Sequence, residues 1–210
     1  MLNDAPHPVQ VGEVLIEDLG RRPFEPVLRH MRQLVEDIRG GRSAGRVLLV
    51  EHESVYTAGR ATPPEQLAGT VAVERGGKVT WHGPGQLVVY PVVPLPGRDV
   101  RRWLQALESF GVQFCAAFGL EAEPSVDGTG VFVGDRKLAS IGVAIRHWIS
   151  LHGISINVAV DGTPWHRIRP CGLDPGIMTD LSRETGRAVS LDEAKQRAAE
   201  TLPRLLEQGR

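Results

Sequence analysis

Two periodicities alternate along the chain, and their order decides the fold class. In Phe24–Arg39, apolar residues fall at Val27, Leu28, Met31, Leu34, Val35 and Ile38. Steps of three and four place them on one face of a helix, and Gly40-Gly41 ends it. A second stripe, Val100, Trp103, Leu104, Leu107, Phe110, Phe114 and Phe118, predicts a helix over residues 99–118, with Gly111 as its weak point. A third starts at Ser190, where Ser190 and Glu193 form an S-x-x-E capping box. It runs through Ala194, Ala198, Leu202 and Leu205, and Pro203 should kink its end. Between the stripes, residues 47–50, 71–73, 86–93, 137–149 and 154–160 are rich in Val and Ile and predict strands. A sheet-rich middle with helices near both ends and one between implies an α+β fold with a mixed sheet in one domain. A small C-terminal subdomain from about Gly162 is also compatible with this order.

Composition excludes several functions. Net charge is −1, so bulk attraction to nucleic acid or anionic lipid is not expected. The first residues, MLNDAPHPVQ, lack the apolar core of a secretory signal. No apolar run is long enough to span a bilayer. The two cysteines are too few for a disulfide framework, so both read as free thiols in a cytoplasmic protein.

Few residues could carry chemistry. Cys115, in QFCAAFG, shares a helix stripe with Phe114 and Phe118 and reads as packing. Cys171, in RPCGL, lies between proline and glycine at a turn that can expose a side chain. A thiol there needs a base or cation, because its free pKa of about 8.5 leaves little thiolate at neutral pH. Lys137 opens the strand KLASIGVAI and matters only if it points at Cys171. His82 and His152 are each followed by glycine, which permits close approach of a ligand or another backbone. A zinc site from His82, His152 and Cys171 finds no support in ligand spacing. RGGK at 75–78 and GPGQ at 83–86 match neither a P-loop nor a dinucleotide fingerprint. Either could be an ordinary hairpin turn.

Taken in order, RGGKVTWHGPGQLVVYPVVPL, RKLASIGVAI, LHGISINV and PCGL resemble the successive motifs of the lipoyl(octanoyl) transferases of lipoate biosynthesis. EHESVYTAGR at residues 51–60 resembles an earlier motif of the same family. The sequence departs from the pattern at Ser54 (usually proline), Trp81 (commonly tyrosine) and Asp180 (often serine). The resemblance implies the mixed sheet flanked by helices found in biotin- and lipoate-protein ligases. It implies octanoyl transfer from acyl carrier protein to a lysine of lipoyl domains, those of 2-oxoacid dehydrogenases and the glycine cleavage H protein, without cofactor or metal. Cys171 would be the thioester nucleophile and Lys137 its proton partner. Arg75, Gly76, Gly77, Lys78, Val79, Thr80, Trp81 and His82 would line the acyl and carbonyl site. So would Ser140, Ile141, Gly142, Gly153, Ile154 and Ser155, with Thr179 near the cysteine. An ATP-dependent ligase, a cysteine hydrolase and an inert binding module are the rival readings. A basic docking patch for the acidic carrier is expected at Arg98, Arg101 and Arg102, or at Arg29, Arg32 and Arg39.

Overall fold

The computed structural model describes residues 9–11, 14–126, 130–168 and 174–209. Its strands are β1 (Val9–Val11), β2 (Val14–Arg22), β3 (Arg46–His52), β4 (Val55–Ala58), β5 (Val71–Ala72), β6 (Val79–His82), β7 (Gln86–Val92), β8 (Glu123–Pro124), β9 (Gly130–Val133), β10 (Arg136–Arg146) and β11 (Ile149–Asn157). The α-helices are α1 (Phe24–Arg39), α2 (Val100–Ala116), α3 (Leu181–Thr185) and α4 (Leu191–Gly209). The large sheet has the order β1-β2-β3-β7-β11-β10-β9-β8, and a small one has the order β5-β4-β6. Parallel β2–β3 pairing among antiparallel neighbours makes the large sheet mixed, as expected.

Helices cover both faces of the large sheet. Along β3, Val47 and Leu49 join the core beneath α2 and α4, while Leu48 and Val50 pack with α1. The same alternation in β7 sends Leu87 and Val89 to one side and Val88 and Tyr90 to the other. This is the period of two expected of a strand buried on both faces. Leu181, Val189, Ala198 and Leu202 share the core of Trp103 and Phe110, so the C-terminal helices complete the central core. Gly111, the weak point of α2, lets the helix approach β9, for a Cβ there would lie 2.6 Å from Val131 Cγ2.

Several boundaries differ from the sequence reading. Residues 136–157 form one hairpin, β10 paired with β11, so the expected strand over 137–149 stops at Arg146 and is followed at once by a turn. Its turn, His147 (φ 53°) and Trp148 (φ 59°), is left-handed at both positions, as two-residue hairpins of this kind require. Neither residue is the usual glycine or asparagine, so no turn signal was present. Accordingly β11 begins at Ile149, earlier than the expected 154, and ends at Asn157. Helix α4 continues through Pro203 to Gly209. Ser190 Oγ accepts the Glu193 N–H at 3.1 Å, but the Glu193 carboxylate pairs with Arg187, leaving half of the capping box. No α-helix among the described residues is long and apolar enough to cross a membrane.

Candidate active site

A cavity opens on the α1 face of the large sheet. Phe24 of α1, Thr57 of β4, Thr80 and His82 of β6, and Val88 and Tyr90 of β7 line it, facing residues 140–142 of β10 and 152–155 of β11. Of the residues expected there, Arg75, Thr80, His82, Ser140, Ile141, Gly142, Gly153, Ile154 and Ser155 line the cavity. Gly76, Gly77, Lys78, Val79 and Trp81 do not.

Strand alternation accounts for β6. Thr80 and His82 face the cavity, whereas the Trp81 ring packs on Trp165 with centroids 5.2 Å apart. Trp81 Nε1–H donates to Ser54 Oγ at 2.9 Å, so two departures from the family pattern are partners. The third, Asp180, caps α3 by accepting the Arg183 N–H at 3.0 Å.

Arg75 is buried, and most of its guanidinium is spent on backbone. It donates to the carbonyls of Gly76, Lys78 and Thr57, and to Thr57 Oγ1, at 2.8–2.9 Å. It thus ties the 75–78 loop to β4. Its stem lies over β10, where a Cβ on Gly142 would come within 3.0 Å of Arg75 Cδ.

The HGPGQ turn is held by protein. Gly85 has φ 82°, and a Cβ there would stand 1.9 Å from the Ala159 carbonyl oxygen. The Gly85 carbonyl accepts the N–H groups of Val158 and Ala159, each at 3.0 Å, and its own N–H donates to Glu51 Oε1 at 2.9 Å. A Cβ on Gly83 would meet the Trp81 ring at 2.1 Å. The close approach that these glycines permit is therefore that of the 158–160 backbone and of Trp81, where the sequence left a ligand and another backbone both open.

His82 contacts Gln86 Oε1 through Nδ1 at 2.7 Å, and its ring stacks on Phe24. Burial, with His52 nearby, lowers its pKa to about 3. His52, which sequence reasoning missed, contacts Tyr90 Oη through Nε2 at 3.0 Å. Burial lowers its pKa to about 4. His152 reaches the cavity by a backbone irregularity. Its φ of 60° turns the ring toward Tyr90, while its cross-strand partner Val143 packs against the opposite core. Burial lowers its pKa as well. His152 Nε2 lies 3.7 Å from Glu74 Oε2, beyond hydrogen-bond reach. Glu74 is held by Arg32 at 2.9 and 3.0 Å, and its carboxyl is pushed well below the usual range by the His152 ring and by Arg32.

Lys137 is 1% exposed, and its Nζ has no hydrogen-bond partner among the described residues. It lies 5.6 Å from the centroid of the Phe132 ring. Residues 174–179 pass beside it. Lys137 bridges Met178 in parallel, and the Thr179 N–H donates to the Lys137 carbonyl at 3.0 Å. Cys171 lies outside the described residues. Cys115 is sealed in the core, where burial pushes its thiol up to about 12.

Of the expected docking clusters, Arg32 is paired with Glu74 and Arg39 with Glu36. Arg98, Arg101 and Arg102 are exposed; the Arg98 guanidinium lies 5.8 Å over the Trp148 ring, and Arg102 Nε donates to the Gln208 carbonyl at 2.7 Å.

The profile of the lipoyl protein ligase A/B catalytic domain matches residues 24–203. An octanoyltransferase of Citrifermentans bemidjiense is 42% identical over 193 residues, 89% of this chain and 94% of the relative. That of Geobacter metallireducens is 40% identical over 201 residues, 93% and 94% of the two chains. Among solved structures, a lipoate-protein ligase A bound with ATP superposes with a TM-score of 0.71 at 16% identity, covering 94% of this chain and 86% of the other. The biotin protein ligase of Aquifex aeolicus gives a TM-score of 0.52 at 11% identity, over 95% and 69%. These structural likenesses show the fold; the sequence relatives show the family. The chain belongs to the octanoyltransferase family, within the lipoyl protein ligase A/B catalytic domain.

Proposed function

We propose that this enzyme moves an octanoyl group from acyl carrier protein, through a thioester on Cys171, to a lysine of lipoyl domains, in the cytoplasm. The observation that carries the reading is Lys137. A buried ammonium without a hydrogen-bond partner among its described neighbours is costly to maintain. It sits beside residues 174–179, the segment that follows Cys171 in the chain. A thiolate at Cys171 would offset that cost, and the ammonium would in turn favour the thiolate.

The chemistry balances without ATP. The Cys171 thiolate attacks the carbonyl of the carrier thioester, forming a new C–S bond as the carrier sulfur leaves. Lys137 gives its proton to that sulfur and becomes neutral. The lipoyl-domain amine then attacks the Cys171 thioester and passes a proton to Lys137. The C–S bond breaks, and the thiolate–ammonium pair is restored. The first exchange is nearly isoenergetic, and the second forms an amide and runs downhill. A thiolate is suited to such a two-step route. The apolar part of the cavity would hold the chain, since burying six methylenes at about 0.8 kcal/mol each contributes about 5 kcal/mol.

Intact mass after incubation with octanoyl-acyl carrier protein tests the proposal. A single octanoyl adduct without ATP, lost in Cys171→Ser and discharged by a lipoyl domain, is expected. An adduct that needs ATP would make the enzyme a ligase, and release of free octanoate would make it a hydrolase.

A further inference from the structure

Behind the cavity, three side chains and one carbonyl form a line in which each hydrogen bond has a single possible direction. The far end is the Thr179 carbonyl, which can only accept. Asn157 must therefore turn its amide nitrogen toward it, at 2.9 Å. That leaves Asn157 Oδ1 toward Gln86, which must present Nε2, again at 2.9 Å. Gln86 Oε1 is then the group 2.7 Å from His82 Nδ1, so Nδ1 carries the hydrogen. Gln86 and Asn157 are each 1% exposed, so water does not replace these partners.

We propose that Gln86 and Asn157 are positioning residues that hold His82 as its Nδ1–H tautomer, offering the bare Nε2 to an N–H donor in the cavity. A neutral imidazole carries one N–H, and the bond made by one nitrogen decides the state of the other. His82 lines the cavity, and Nδ1 is the ring nitrogen engaged by Gln86. The charged groups and rings around it, His52, Arg75 and His152, all oppose a second proton on the ring. Its role is thus that of an acceptor, not a general base. What enters the cavity rests on the acyl-transfer reading. The carrier's pantetheine arm brings amide N–H groups and the acceptor lysine brings an amine, and both are donors of the required kind. The line also bears on Lys137. Thr179, whose carbonyl sets every direction, donates its N–H to the Lys137 carbonyl at 3.0 Å.

Long-range ¹H–¹⁵N histidine spectra of the free protein test the tautomer without any turnover, and so independently of the acyl-transfer reading. The His82 pattern is assigned by its loss in His82→Asn. The expected result is an Nδ1–H pattern unchanged from about pH 5 to 8. An Nε2–H or imidazolium pattern in the wild type would overturn the proposal. Asn157→Leu and Gln86→Met should give a mixed-tautomer pattern, and an unchanged pattern in both would remove their positioning role. In Cys171→Ser, a shift of the Nε2 resonance on adding octanoyl-acyl carrier protein identifies the amide as donor. A shift only with a lipoyl domain identifies the amine, and no shift with either refutes the acceptor role.

Discussion

Gly130 of β9 and Lys137 of β10 are so close that a Cβ on the glycine would stand 2.7 Å from Lys137 Cε and 3.2 Å from its Nζ. The same Cβ would lie 2.3 Å from the Ala139 carbonyl oxygen. Gly130→Ala should therefore displace the ammonium and strain the β9–β10 pair. In the role proposed for Lys137, misplacing its ammonium by about 1 Å costs on the order of 10²-fold, so octanoyl transfer should fall by about that factor. Urea melts must accompany the rates. Unchanged transfer in a folded variant would mean that Lys137 needs no such space.

Lys137 itself separates charge from proton transfer. Lys137→Ala should slow both acylation of Cys171 and discharge to the lipoyl domain by about 10²–10⁴-fold, typical of one acid–base group. Lys137→Arg keeps the charge but cannot release a proton near neutrality. It should retain more thiolate than the alanine variant and still fail in transfer. The pH dependence of Cys171 alkylation, read beside single-turnover transfer, decides it. A wild-type profile and rate in the alanine variant would sink the dyad.

The two thiols should behave oppositely. Cys115 is buried among Phe110, Phe114 and their neighbours, and its thiol is pushed up to about 12 by burial. Brief iodoacetamide treatment at neutral pH should modify Cys171 and spare Cys115 until the chain unfolds. Peptide mapping that found Cys115 labelled first would reverse the assignment.

Gly85→Ala should cost stability before it costs rate. The residue combines a left-handed backbone with backbone atoms where a side chain would go. Backbone strain of this kind alone costs about 1–3 kcal/mol, and the contact with Ala159 adds to it. A lowered denaturation midpoint is the expected reading. A variant as stable as the wild type but slow in transfer would restore the view that the turn is open for a ligand.

Stability should fall on mild acidification. His52 and His82 are buried neutral, with pKa lowered from 6.5 to about 4 and about 3. Below about pH 6.5 the unfolded chain takes up protons that the folded chain refuses, so unfolding is favoured as pH drops toward 4. Each histidine contributes up to about 1.4 kcal/mol per pH unit across that window. Glu74, depressed by His152 and Arg32, acts in the same direction below the ordinary carboxylate range. Urea midpoints measured between about pH 7 and 4.5 should decline steadily. A flat midpoint would show that the rings are protonated when folded.

Much of the fold was legible because helix stripes and Val-rich strands are local signals. Val27 to Ile38 and Trp103 to Phe114 lie in helices where their spacing put them. The site was legible only in part. Thr80 and Trp81 are adjacent in one motif, yet the pleat sends them to opposite sides, and the motif alone cannot say which side holds the cavity. His152 enters through a left-handed backbone that no neighbouring residue announces. His52 and Asn157 act through partners dozens of residues away, a relation that a single sequence does not print. The β10–β11 turn was missed because His147-Trp148 adopts a conformation that normally calls for glycine or asparagine.

The central strands have a consequence for how this enzyme comes into being. β7 is flanked by β3 and β11, which pairs Val47 with Pro91 and Ile154 with Val89. Such distant pairings must close large loops before contacts reward them, which slows folding. The cavity draws on β4, β6, β7, β10 and β11 together, so no fragment ending before Ser155 can hold it. During synthesis the walls around His82 must wait, unpaired on one edge, until the ribosome has released most of the chain. Maturation of the enzyme is therefore governed by the arrival of β11, and a truncation that removes this strand would leave an exposed β7 edge open to aggregation.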